Sequence, residues 1–149
     1  MQLTLHTDYA LRVLIYLTIQ PEKTVTIDEI TDFYEISRNH LVKVVHNLSS
    51  KGFISTSRGK HGGMQLSRPP EEISIGDVVR QIEANFDIVE CFNPDAKKCH
   101  IVPICNLKSV LQQANENFLA FLDEYSLAQA VKPNSQLKQI LLDVGHRPR

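Results

Sequence analysis

An amphipathic helix that runs directly into a glycine-rich hairpin is the strongest constraint in this 149-residue chain. In "SRNHLVKVVHNLSS", Leu41, Val44, Val45 and Leu48 fall at i, i+3, i+4 and i+7, a single apolar stripe. Ser37 suits the N-cap, and Gly52 marks the end. The following "FISTSRGKHGGMQLSRP" reads as two short strands. Phe53 and Ile54 open the first, Gly59, Gly62 and Gly63 release the turn, and Met64 and Leu66 alternate on the second until Pro69 stops it.

Two helices are expected upstream. "DYALRVLIYLTIQ" is apolar around most of its circumference and predicts a buried helix over 8–20, ended by Pro21. Thr26 and Glu29 have capping-box spacing ahead of Ile27, Ile30 and Phe33, and "YEIS" reads as a tight turn. Helix, helix, outward-facing helix and basic hairpin together predict a winged helix-turn-helix. The fold class is therefore mainly α with a small β-hairpin wing.

Charge distribution supports this. The whole chain has a net charge of −1. Residues 37–68 nevertheless carry Arg38, Lys43, Lys51, Arg58, Lys60 and Arg68 and no acid, with His40, His46 and His61 besides. The polar face of the third helix, Asn39, Lys43, His46 and Ser50, has the composition of a helix lying in a DNA major groove. Arg38, Asn39 and His40, just after Ser37, are the candidates for base edges. Lys43, Lys51 and Lys60 suit phosphates, and Arg58 with His61 suits the minor groove. Double-stranded DNA is the expected partner.

Downstream, Ser74 and Asp77 repeat the capping-box spacing before Ile75, Val78, Val79 and Ile82, a fourth helix. Ile104, Leu107, Leu111, Ala114, Phe118, Phe121 and Tyr125 then recur at alternating three- and four-residue steps. So narrow a seam predicts a long helix that pairs with a second copy in a homodimer. No stretch reaches the roughly 18 apolar residues of a spanning helix. The first residues lack the pattern of a signal peptide, so no membrane and a cytoplasmic location are expected.

All three cysteines lie in "CFNPDAKKCHIVPIC", between the fourth and fifth helices. An odd number excludes a pure disulfide framework and leaves metal, redox chemistry or chance. The spacing Cys91-x7-Cys99-x5-Cys105 is wider than the pairs typical of structural zinc. A larger iron–sulfur cluster accepts ligands spread along a loop. Lys97 and Lys98 could offset thiolate charge, and His100 is a candidate fourth ligand. A thiol oxidoreductase would want a C-x-x-C pair, which is absent, so the chain is not expected to be an enzyme. A zinc-stabilised interaction domain is the remaining rival.

"TDYALRVLIYL", "ISRNHLVKVVHNL", the "SRGKHGGMQL" wing and a three-cysteine loop before a long helix resemble the family of iron–sulfur winged-helix repressors. The likeness covers roughly residues 1–130 and is nearest to the nitric-oxide-sensing branch. It implies a repressor that holds an iron–sulfur cluster, [4Fe-4S] favoured over [2Fe-2S]. It also implies binding to a palindromic operator as a homodimer, with release when nitric oxide attacks the cluster. A sister regulator sensing iron–sulfur status or redox state is the alternative. Cys91, Cys99 and Cys105 are the implied ligands. One branch adds a histidine three residues after the last cysteine, but Lys108 stands there. The nitric-oxide branch uses an aspartate at the start of the first helix, donated across the dimer. Asp8 occupies that place, so Asp8 of the partner subunit is expected to complete the set. Arg12, one turn on, would steady it. The implied organisation is a DNA-binding domain over 1–70, a cluster loop and dimerisation helix over 71–130, and a partly disordered tail over 131–149.

Overall fold

The computed structural model describes residues 2–59, 62–96, 99–131, 136 and 139–140. Six α-helices and a two-stranded antiparallel hairpin follow in the order α1 (Leu5–Ile19), α2 (Ile27–Tyr34), α3 (Arg38–Ser50), β1 (Ile54–Ser57), β2 (Gly63–Leu66), α4 (Ile75–Ile82), α5 (Asn106–Asp123) and α6 (Leu127–Val131). This is a winged-helix architecture, as the sequence predicts. Lys60, His61, Lys97 and Lys98 lie outside the described residues, as does most of the expected tail.

Local chemistry starts and stops these helices. The Thr26 hydroxyl accepts from the Glu29 amide, and the Glu29 carboxylate accepts from the Thr26 amide, a complete capping box. Ser37 and Ser74 cap α3 and α4 with the hydroxyl half of that arrangement, accepting from the His40 and Asp77 amides. α1 begins three residues before the expected Asp8 because the Thr4 hydroxyl accepts from the Thr7 amide at 3.3 Å. At the far end of α3 the Gly52 amide donates to Ser49 and the Phe53 amide to Leu48, with Gly52 at φ 76°. That pattern is a Schellman stop, which Gly adopts without a Cβ penalty. It pulls Phe53 into the core, so β1 opens one residue later than expected.

One core joins these elements. Ala10, Val13, Leu14 and Leu17 of α1 pack with Ile30, Leu41, Val44 and Leu48, and with Phe53 and Met64 of the hairpin. Ile73, Val78 and Ile82 close it, together with Leu127 of α6, an element absent from the sequence expectations. The wing is fastened to this body. Val25, between α1 and α2, exchanges two backbone hydrogen bonds with Met64 at 3.0 and 2.8 Å. Gly63 makes that approach feasible, since a Cβ there would meet the Val25 carbonyl oxygen at 2.6 Å. No described helix is long and apolar enough to cross a membrane.

α5 differs from every other long helix in having no buried residue. It is held against α4 by the Arg80–Asp123 ion pair and against the segment after α4 by the Asn115 amide, which donates to the Phe86 carbonyl at 3.1 Å. Its outer side shows Leu107, Val110 and Phe121 to solvent, each more than half exposed, with Ile104 just before it.

Candidate nucleic-acid interface and cysteine loop

α3 presents the face that its sequence predicts. Leu41, Val44, Val45 and Leu48 are buried, while Arg38, Asn39, His40, Lys43 and His46 are exposed. Ser37 is occupied as the N-cap, with its hydroxyl accepting from the His40 amide. Lys51 and Arg58 are exposed beyond the helix, at its end and on the wing. Between α3 and the wing lies an open groove of about 710 Å³, bordered by Asp28, Arg38, Val42, His46, Thr56 and Ser57. A groove of mixed polarity between a protruding helix and a hairpin can seat a strand of duplex, with the helix toward one groove and the wing toward the next.

Two features of this face were not foreseen. Val42 is 41% exposed although it is apolar. The Asp28 carboxylate, from α2, accepts a hydrogen bond from Arg38 Nε at 2.9 Å. Val42 lies just outside the buried stripe, and its isolation there is the signal that could have found it. Asp28 is ten residues from Arg38 and shares no helix with it, so no periodicity connects them.

Asp8 lies on α1, next to Tyr9, whose ring centre is 6.4 Å from that of His40 on α3. Its carboxylate pairs with Arg12 at 2.8 Å across one turn, as the spacing predicts. The Arg12 guanidinium lies 5.8 Å from the ring centres of both Tyr9 and Tyr34. Burial pushes the Tyr34 phenol up to about 12 despite the pull of Arg12, so it stays a neutral donor, bonded to the Arg12 carbonyl at 3.2 Å. Nearby, the Glu83 carboxylate receives hydrogen bonds from the Thr4 amide, the Thr4 hydroxyl and the Thr7 hydroxyl, the last at 2.6 Å. Burial pushes that carboxyl up, but the donated hydrogen bonds outweigh it and hold it below the usual range. Glu83 thereby anchors the start of α1, where Asp8 sits.

The three cysteines are unpaired. Cys91 and Cys99 border one recess of about 250 Å³ with Pro94, Val102 and Pro103. Cys105 lies outside it, at the N-cap of α5, with no side-chain hydrogen bond to the helix. Its thiol is therefore not committed to capping the helix. Among the described residues no three His, Cys, Asp or Glu side chains converge on a point suited to one metal ion. Neither Asp8 nor His100 joins the cysteines within this chain. The donor set still fits an iron–sulfur cluster: three uncommitted thiols on a loop with no described residue in the core, two of them already sharing a mainly apolar recess.

A winged helix with a basic, outward α3 and a groove beside its hairpin defines a DNA-binding protein. Comparison with known proteins places it more narrowly. Residues 3–133 match the model of the Rrf2 family, described as an iron-dependent transcriptional regulator, and the chain belongs to that family. It is a DNA-binding transcriptional regulator and not an enzyme. It is 44% identical over 142 residues to the HTH-type transcriptional regulator NsrR of Shouchella clausii, covering 95% of each chain. It is 43% identical to the regulator of the same name from Halalkalibacterium halodurans, covering 95% of this chain and 97% of the relative. Among solved structures, T. potens IscR superposes with a TM-score of 0.73 at 22% identity, over 92% of this chain and 90% of that one. The oxidized form of Staphylococcus aureus CymR superposes with a TM-score of 0.70 at 25% identity, over 89% and 97%.

Proposed function

We propose that this protein is a nitric-oxide-sensing iron–sulfur repressor that binds a palindromic operator as a homodimer. The carrying observation is the company of the cysteines. Three unpaired thiols occupy one loop, and that loop leads into a helix whose apolar outer face has no partner within the described chain. Identity of 43–44% to regulators named NsrR, over nearly the whole chain, supports the choice of signal.

Cys91, Cys99 and Cys105 would hold the cluster, and Asp8 of the partner subunit would complete its ligands. A bound [4Fe-4S] cluster supplies reactivity toward nitric oxide, and a carboxylate is a poorer match for its iron than a thiolate. Arg12 orients the Asp8 carboxylate through their ion pair. Glu83 fixes the end of α1 from which Asp8 projects. A second copy packed along Leu107, Val110 and Phe121 would cover the exposed face of α5. Asp8 of one subunit and the cysteines of the other then form a tie between a DNA-binding half and the dimer helix. With the tie intact, two α3 helices stand about one DNA turn apart, as two half-sites require. Released, the halves lose that fixed separation, which gives two states of different operator affinity.

The test is purification of the full chain without oxygen, then nitric oxide titration followed by visible absorbance and operator gel shift together. Absorbance of the cluster and operator binding should fall in step. Asp8→Ala should retain iron and sulfide but weaken operator binding. A normal spectrum, a normal rate with nitric oxide and full operator binding in Asp8→Ala would remove Asp8 from the ligand set and make His100 the next candidate. A Cys91→Ala, Cys99→Ala or Cys105→Ala chain that keeps full iron and sulfide would overturn the role of that thiol.

A further inference from the structure

We propose that Asp28 is a positioning residue for DNA specificity: it grips Arg38 by Nε so that the terminal guanidinium fork faces a guanine, and Val42 reads a thymine methyl beside it. This rests on α3 entering the major groove, as proposed above.

The contact between Asp28 and Arg38 is unusual for its kind. Arginine and carboxylate commonly pair through two parallel bonds that use the fork. Here Nε donates to Asp28 Oδ1 at 2.9 Å, and neither terminal nitrogen has a partner among the described residues. A guanine offers O6 and N7 to just such a fork. Both side chains of the pair are more than 60% exposed, and exposed ion pairs add little to stability. Stability therefore does not account for Asp28.

Charge makes its position costly as well. Asp28 is the only carboxylate among the described residues that border the groove between α3 and the wing. An acid on a surface that approaches phosphates weakens binding unless a neighbour neutralises it. Arg38 does so, and in return loses rotamer freedom before it meets a base. Arginine otherwise gives up that freedom on binding. The benefit of Asp28 is thus directional: it selects what Arg38 touches at the expense of general attraction to DNA.

Val42 extends the same reading. It follows Arg38 by four residues on the same face of α3 and is 41% exposed beside the groove. One helical turn rises about 5.4 Å, and base pairs are spaced about 3.4 Å apart. Val42 therefore falls one or two base pairs from the guanine. A branched apolar side chain there suits the thymine C5-methyl and no other major-groove edge. Each half-site should contain a guanine with a thymine within two base pairs.

The experiment selects bound duplexes from a pool of randomised DNA, using the full chain purified without oxygen. Wild type is compared with Asp28→Ala, Asp28→Asn, Arg38→Ala and Val42→Ala, and the selected duplex is then competed against single-base changes. The wild type should prefer its guanine by about 5- to 150-fold, the range of one bidentate base contact. Arg38→Ala should erase that preference. Asp28→Ala should lower it about two- to twelve-fold, one hydrogen bond's share, while binding to random DNA holds or rises. Asp28→Asn, which keeps an acceptor for Nε, should restore part of it. Val42→Ala should relax the thymine position alone. Unchanged or sharpened guanine preference in Asp28→Ala would overturn the proposal and make Asp28 a clamp that withholds Arg38 from DNA. Full guanine preference in Arg38→Ala would instead show that α3 does not read bases through Arg38, and the positioning role would fall with it.

Discussion

The two halves of this chain are built to different degrees of completeness. From α1 to the hairpin, every helix turns a stripe into a shared core, and Ala10, Val13, Leu14, Leu41, Leu48 and Phe53 are fully enclosed. No described residue of the cysteine loop or α5 is buried, although their apolar content is ordinary. Burial of apolar surface is the main favourable term in folding. The first half therefore supplies its own stability, while the second leaves a row of large apolar residues in water. A reader of DNA needs a rigid platform, and the core under α3 provides one. A sensing region needs a structure that depends on something outside itself. On the function proposed above, the difference divides a part that carries the address from a part that waits for a partner and a ligand.

Substitutions in each half should break or sharpen that contrast. The largest effect is expected at Phe53, which is wholly buried beneath the hairpin with the Arg68 guanidinium 5.5 Å from its ring centre. Phe53→Ala should cost about 3–5 kcal/mol, the usual toll of a large aromatic removed from a core. Urea denaturation of the full chain measures it; a loss below about 1 kcal/mol would mean that the first half is not close-packed.

A smaller effect is expected at Glu83, where the two halves meet. Its carboxyl is lowered in the folded chain from an ordinary value of 4.5. The ionised form is therefore the stabilising one. Its contribution is complete above the ordinary value and disappears as pH falls through the lowered one. Near neutral pH, Glu83→Gln should cost about 1 kcal/mol, one hydrogen-bonded group's share. The gap between wild type and variant should close in acid. A gap that stays constant with pH would show that shape, not charge, matters at Glu83.

The smallest effect on the single chain's stability is expected at Phe121, 57% exposed on α5 and in ring contact with Tyr125 at 5.1 Å. Phe121→Asp should alter folding stability by no more than about 0.5 kcal/mol, as surface changes do. Sedimentation should nonetheless show a dimer of the wild type and a monomer of the variant. If both sediment alike, the exposed face of α5 is not the pairing surface.

Much of this molecule was legible because its signals are short-range. Ser37, Thr26 and Ser74 each cap a helix through an amide three residues on, and such spacing is visible in any sequence. The Asp8–Arg12 pair follows from one turn of helix. The stripe of α3 was likewise enough to separate its buried face from its basic one. The alternating pattern of α5 predicts a pairing seam; the fold adds that the chain's own core leaves Leu107 and Phe121 of that pattern, and Val110 beside it, uncovered.

By itself, then, the sequence determined which residues cap α2, α3 and α4, which face α3 turns inward, and that three thiols share one loop. These are consequences of torsional preference, helical period and chain adjacency, and all act within a few residues. Tertiary structure decided the rest. It brought the Glu83 carboxylate to Thr4 and Thr7 across more than seventy residues. It locked Val25 to Met64 so that the wing is fixed to the body, and it set Asp28 against Arg38 with the guanidinium fork left free. None of these pairs has a period or a spacing rule. Each exists because closing the core brings two distant segments within hydrogen-bond reach, and that distance is a property of the packed chain alone.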